Sequence, residues 1–414
     1  MNLFIKNIGC LVNVREDYSL LRGRALAQLP CIHDAYVMIE GDRIAAYGEM
    51  KNLEVEFPNL PTTQIDMKGG FVLPTWVDSH THIVFAGSRE NEFVNKIQGL
   101  SYAEIAANGG GILNSAAKLN EATADDLFLS AWNRLSDVAK LGTGAIEIKS
   151  GYGLSVESEL KMLRVIKKLK EKSNLLIKST FLGAHSFPQA YKENHQEYIR
   201  IIIEEMLPII GKEQLADYID VFCENGFFNV EEMEQICNEG KKYGLLPKLH
   251  INQLNSIGGI QSAIKMDAVS VDHLETMTDK DIVDLSQSNT IGTLLPSAAF
   301  FLRMPYQPAR ELIDSNCAVA LASDYNPGSS PSGNMNFIVA LSCIQMKMLP
   351  EEAINASTIN AAYAMQVQDK LGSITVGKLA NLILTKPIPS IAYLPYSFGS
   401  NLIDKVIIKG EIVN

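Results

Sequence analysis

Cysteine is sparse and never paired in sequence. The six cysteines, Cys10, Cys31, Cys223, Cys237, Cys317 and Cys343, form no C-x-x-C motif, and several sit in apolar runs, as buried free thiols do. A disulfide framework is therefore not expected, and a reducing, cytoplasmic setting is. Positive charge is also short. Lys and Arg number 36 against 47 Asp and Glu, for a net charge of -11, and no basic patch offsets it, which argues against a nucleic-acid partner. The local cluster Lys167, Lys168, Lys170 and Lys172 alternates with apolar residues on a helical period and reads as a solvated helix face. No uncharged run approaches the ~20 residues that a membrane helix needs, so no membrane partner is expected. Residues 1–6 carry no basic region ahead of an apolar core, so no signal peptide is expected either. Low-complexity segments are absent, and no repeat appears beyond a strand–helix period.

What remains is a chain of 414 residues, 47% hydrophobic and 20% charged, enough for one large domain with an appendage. Its first ~65 residues are β-rich, with two short strands around Gly41-Asp42 that signal a hairpin. From Phe71 onward short apolar runs alternate with helix-period segments. The runs cover 71–77, 144–148, 177–183, 219–222, 247–251, 268–271, 290–295 and 319–322. Helices are expected over 123–141, 156–172, 197–210, 230–243, 259–265, 279–286 and 308–316, then 350–365 and 366–372. Eight such units predict an α/β protein with a (β/α)8 TIM-type barrel. Strands return at 374–385 and 405–413, so the two chain ends are expected to build a small β-sandwich domain. The expected division is 1–68 with 374–414 for the sandwich and 69–373 for the barrel. The long interval after the first run includes Gly109-Gly110-Gly111, expected to lie over the site.

Histidine is the informative residue. There are only seven, and five of them, His80, His82, His185, His250 and His273, follow apolar runs, where barrels of this kind hold their chemistry. His33 and His195 read as surface residues of a loop and a helix. His80 and His82 are two apart at a strand end and so share a side. Three neutral imidazoles with a carboxylate suit Zn²⁺ or a similar ion, with a position left open for water. The expected ligands are His80, His82, His250 and Asp324. A metal so held lowers the pKa of water toward neutrality, which suits hydrolysis. Glu147 and Lys149, inside the second run, read as a buried ion pair, and Asp78 as a carboxylate that orients a ligand or caps the turn.

Taken together, His80-x-His82, His250, His273 and Asp324 on the first, fifth, sixth and eighth strands resemble the amidohydrolase superfamily of metal-dependent hydrolases. Binuclear members carry a bridging lysine at the fourth strand. Here that strand ends Phe222-Cys223-Glu224, so one metal ion per chain is expected, Zn²⁺ or Fe³⁺, with Glu224 a small opening for a second. Longer strings, FAGSRENEF at 85–93, GGGI at 109–112, EIKSGYGL at 147–154, TFLGAH at 180–185 and DYNPGSSP at 324–331, resemble the imidazolonepropionase family. That resemblance implies hydrolysis of 4-imidazolone-5-propanoate, a small anionic heterocycle, to N-formimidoyl-L-glutamate. It implies substrate contacts from Arg89, whose fork suits a carboxylate, and from Tyr102, Tyr152, His185, Gln253, Asn326, Gly328 and Ser329. A salt bridge from Arg89 to Glu90 or Glu92 is the plainer alternative. The family commonly has threonine where Ser329 stands, so the hydroxyl is kept. Some members carry glutamate where this chain has Gln253; an amide cannot act as a base, so Gln253 is expected to orient the ring. His273 is expected to polarise the carbonyl and Asp324 to carry the proton, with His273 the other candidate base. Homodimers are common for this fold, and one is expected. The competing readings are a mononuclear deaminase of a cyclic amidine or aminoazine and a non-catalytic barrel.

Overall fold

The computed structural model describes residues 2–53, 60–100 and 110–413. Two sheets organise it. The first is built from both ends of the chain. Its spine is β1 (Asn2–Val12), paired antiparallel along one edge with β2 (Cys31–Glu40), which turns at Gly41 into β3 (Arg43–Glu49). Along the other edge β1 takes two partners in turn. Leu3–Lys6 pair in parallel with β4 (Thr63–Asp66), and Cys10 and Leu11 with β5 (Phe71–Pro74). The switch occurs where the register with β2 is irregular, between Ile5 and Ile8. There a Cβ on Gly9 would sit 2.3 Å from the Gly69 carbonyl oxygen, so only glycine fits.

The second sheet is the barrel, and its strands follow chain order, all parallel. They are β6 (Trp76–Asp78), β7 (Thr143–Lys149), β8 (Leu176–Ala184), β9 (Tyr218–Cys223), β10 (Leu246–Ile251), β11 (Ser270–His273), β12 (Ile291–Leu294) and β13 (Val319–Leu321). Almost every residue of these strands is buried, as expected of parallel strands with helices outside. Several of the helices start on side-chain caps. Thr123, Ser155 and Asn229 each accept a hydrogen bond from an amide of the first turn. The seam between β13 and β6 is joined beyond the strand ends, where Thr81 bridges Tyr325. The amide of Asp324 donates to the His80 carbonyl at 3.0 Å, and that of His82 to the Tyr325 carbonyl at 2.9 Å. The backbone that closes the barrel thus carries three of the expected metal ligands. After the barrel, β14 (Leu382–Thr385) pairs antiparallel with β5, and β15 (Ile403–Ile408) and β16 (Glu411–Ile412) complete the terminal sheet.

Some expectations need correction. The run 71–77 is two strands in two sheets. Thr75 breaks it: its amide donates to Asn381 and the next one, of Trp76, to Gly142. A boundary between residues 68 and 69 therefore leaves β5, a strand of the terminal sheet, on the barrel side. Residues 350–365 form two helices, Pro350–Ala356 and Ile359–Ala364, broken where the Ser357 carbonyl turns to accept from Val77. Residues 366–372 are turns, with Gln366 and Gly372 at positive φ. Of 374–385 only the last four residues are strand. His33 lies in β2 rather than a loop, and it is exposed there. No helix among the described residues is long and apolar enough to cross a membrane.

Candidate active site

Two histidines of the cluster are oriented from behind by carboxylates. The Nδ1 of His80 lies 2.7 Å from an Asp272 oxygen, and that of His250 lies 2.7 Å from Asp220, which also accepts the His250 amide at 2.9 Å. A carboxylate at Nδ1 makes that nitrogen the N–H donor and leaves Nε2 with its lone pair free. The Nε2 atoms of His80 and His82 both lie 3.5 Å from the same Asp324 oxygen. The His80 ring stands 4.5 Å from that of His250 and 5.7 Å from that of His273, centroid to centroid. His80, His82 and His250 form one group whose ligand atoms all lie within 4.8 Å of one another; His80, His273 and Asp324 form another. His80 Nε2 is buried and has no hydrogen-bond partner. A lone pair so placed is unfavourable unless something satisfies it. Convergent imidazole nitrogens beside a carboxylate fit a divalent metal ion.

Behind the histidines lies a buried ion network. Lys149 Nζ contacts Glu147 at 2.8 Å and Asp220 at 2.9 Å, and Lys248 contacts Asp272 at 2.9 Å. Burial works against the Lys149 charge, but Asp220, Glu147 and Asp272 outweigh it and hold the ammonium above its usual range. Burial likewise opposes the charge of Asp272, and Lys248 and Lys149 hold that carboxyl below its usual range. Asp220, Asp272 and Lys248 escaped sequence reasoning. The available signal was an isolated charge in a short buried strand, and only Lys248, two residues before His250, shared a strand side with a histidine.

A cavity of about 360 Å³ opens in front of the cluster. His82, His250, His273 and Asp324 form its floor, while Arg89, Tyr152, His185, Gln253, Asn326, Gly328 and Ser329 line its walls. His80 is in the cluster but behind that surface. Tyr102 lies outside the described residues. Part of the lining is apolar, with Phe222 and Phe227 in contact at 4.5 Å between centroids.

Arg89 does both things weighed for it. It reaches the cavity, and its Nε and Nη2 bond one oxygen of Glu92 at 2.9 and 2.5 Å, while the other oxygen accepts from the Gly111 amide. A Cβ on Gly328 would lie 2.3 Å from Arg89 Nη1, so glycine there makes room for the guanidinium. The turn after Asp324 differs from expectation. Asn326 spends its amide within the turn: its Oδ1 accepts from the amides of Gly328 and Ser329, and its Nδ2 donates to the Asp324 carbonyl and to Ser329 Oγ. These groups are one another's partners rather than free donors. Ser329 Oγ donates on to Asp324 Oδ2 at 3.1 Å. Asp324, Asn252 and His273 all adopt positive φ, conformations that non-glycine residues hold only when their surroundings impose them.

Electrostatics separates the two candidate proton carriers. Burial raises the Asp324 carboxyl to about 6, although His273, Asn326 and Ser329 pull it down. Burial would lower His273, but Glu275, 3.3 Å from its Nδ1, prevails and raises it. Gln307 donates to the same Glu275 oxygen at 2.9 Å. His185 donates from Nδ1 to the Gly151 carbonyl, and burial lowers it to about 4. Glu224 does not join the cluster. It accepts from the Leu254 amide at 2.8 Å and from Asn255, clamping the loop that carries Gln253.

A profile of the amidohydrolase family matches residues 71–413. Imidazolonepropionase of Flavobacterium johnsoniae is 56% identical over 415 residues, covering 100% of both chains. Imidazolonepropionase of Flavobacterium psychrophilum is 55% identical, again over 100% of both. The chain belongs to the imidazolonepropionase family of amidohydrolases. Among solved structures, a zinc-bound adenosine deaminase from Xanthomonas campestris superposes with a TM-score of 0.73 at 15% identity, covering 99% of this chain and 92% of the other. At that identity the likeness is one of fold, a parallel barrel joined to a sheet from both termini.

Proposed function

We propose that this imidazolonepropionase-family hydrolase opens the ring of 4-imidazolone-5-propanoate to N-formimidoyl-L-glutamate, the step of histidine degradation that breaks the ring C–N bond. One observation carries the reading: Arg89 and the histidine–aspartate cluster share one cavity, with Tyr152 close enough to feel the charges of both Asp324 and Arg89. A carboxylate tail on Arg89 leaves the planar ring to reach the cluster, past Tyr152 and His185.

We assign His80, His82, His250 and Asp324 as ligands of one divalent or trivalent ion, Zn²⁺ before Fe³⁺. When bound, such an ion acidifies water and polarises a carbonyl. The chain's own groups do the rest. Arg89 anchors the propanoate through its fork, and Gln253 aligns the ring with its amide. His273, whose pKa the Glu275 carboxylate raises, donates in its protonated form from Nε2 to the carbonyl oxygen as charge develops there. Asp324, beside the histidine nitrogens, takes the proton of the attacking water and delivers it to the departing ring nitrogen. Water adds to the ring carbonyl carbon, the C–N bond breaks, and a carboxylate forms. Free cysteines support a cytoplasmic setting, and two-fold pairing, the commonest oligomeric arrangement, supports a homodimer. The two hydrogen-bonded sheets support a division into a terminal-sheet domain and a barrel domain.

The test is turnover. Metal-loaded protein given freshly generated imidazolonepropanoate is expected to abolish its ultraviolet absorbance, with about one metal ion per chain. No turnover, together with ammonia release from an amino-substituted heterocycle, would select a deaminase instead.

A further inference from the structure

We propose that Lys96 is a second anion-recognising side chain of this pocket and supplies the net positive charge that captures a carboxylate-bearing substrate; the idea rests on the function proposed above. Lys96 lies in the helix Glu90–Ile97, of which Arg89 is the N-cap. Arg89, Glu92 and Lys96 are spaced i, i+3, i+7, so they share a helix face, and both cations line the cavity. Their situations differ. Arg89 is neutralised in place by Glu92, whose two oxygens are taken up by Arg89 and the Gly111 amide. Lys96 makes no ion pair with any carboxylate among the described residues. Its ammonium lies 5.8 Å from the centroid of Phe301, whose ring stacks on Phe93 at 5.3 Å. Partial burial and the nearby Arg89 charge hold Lys96 below its usual range, against the pull of Glu92, whose hydrogen bonds go to Arg89 and Gly111 rather than to Lys96.

Arg89 therefore supplies directional hydrogen bonds while its charge is cancelled, and Lys96 supplies the uncancelled charge. This matters in a chain of net charge -11, which on the whole repels an anion. Among the described residues the carboxylate that lines the cavity is Asp324, and it sits among the histidines.

The inference is tested with Lys96→Gln and Lys96→Arg, each first checked for an unchanged thermal melt. For Lys96→Gln we expect KM for imidazolonepropanoate to rise about tenfold, with kcat falling less than threefold, and the arginine variant to recover most of the loss. Calorimetry reads the same point without turnover. An unreactive imidazole carrying a propanoate tail is expected to bind Lys96→Gln about tenfold more weakly, with a flatter salt dependence, while tail-less imidazole binds both proteins alike. An unchanged affinity for the tailed compound, or an equal loss for the tail-less one, would overturn the role of Lys96 even with wild-type turnover intact. Absent wild-type turnover would overturn the proposed function, and the calorimetric comparison would still judge Lys96.

Discussion

Ser329 and Asp324 show how one hydroxyl tunes a proton carrier. The hydrogen bond from Ser329 Oγ favours the charged carboxylate, while burial favours the neutral acid. A base must be deprotonated to work, so activity should fall at acid pH as Asp324 takes up a proton. Ser329→Ala removes a stabiliser of the anion, so its pKa should rise and the acidic limb of kcat/KM should move up by about half a unit. An unmoved limb would assign it to another group. Arg89→Ala should act differently, raising KM at least tenfold by removing a charged hydrogen-bonding partner of the tail; unchanged kinetics would remove Arg89 from the substrate site. The histidines were legible in the sequence because a rare residue kept recurring at the ends of apolar runs. Asp220 and Asp272 were not, because a single acid gives no spacing to read and its histidine lies on another strand. The spent amide of Asn326 was equally invisible, since Asn-Pro-Gly-Ser reads the same whether its donors face a ligand or the turn itself.

At the scale of elements, alternation revealed all eight barrel strands, because a strand–helix period survives in any buried parallel sheet. It could not show that 71–77 changes sheets at Thr75, since the apolar run continues through the crossing. The crossing matters for the site. β6 has only three residues, Trp76–Asp78, and the seam to β13 depends on contacts beyond it. Asp78 supplies two of them, accepting from the Ser323 amide at 2.9 Å and from the Ser323 hydroxyl at 2.5 Å. Asp78→Ala would leave both donors buried and unpaired, at a cost of about 2–4 kcal/mol. Asp78→Asn keeps a carbonyl oxygen for the amide and should cost less. Thermal melts of the two variants test the order, and equal melting points would mean that the seam holds without Asp78. Because Ser323 directly precedes Asp324 and Asp78 lies two residues before His80, the alanine variant should also bind metal more weakly.

The whole molecule joins these scales, since the ion network that supports the barrel interior also orients the imidazoles. Lys149→Met should leave Glu147, Asp220 and Asp272 without one of their two buried cations, destabilising the fold by about 3–5 kcal/mol and weakening metal binding about 10- to 100-fold. The metal should in turn support the fold. Its ligands come from β10 and from both sides of the β6–β13 seam, far apart in sequence, so the unfolded chain offers no comparable site. An ion that binds only the native state at about a thousand times its dissociation constant stabilises it by roughly 4 kcal/mol. Chelation followed by desalting is therefore expected to lower the melting temperature by several degrees, and one equivalent of Zn²⁺ to restore it. His250→Ala removes a ligand without breaking the seam; it should start from a lower melting point and respond little to either treatment. If elemental analysis confirmed metal removal and the wild-type melting point did not move, the cluster would have no share in holding the barrel closed.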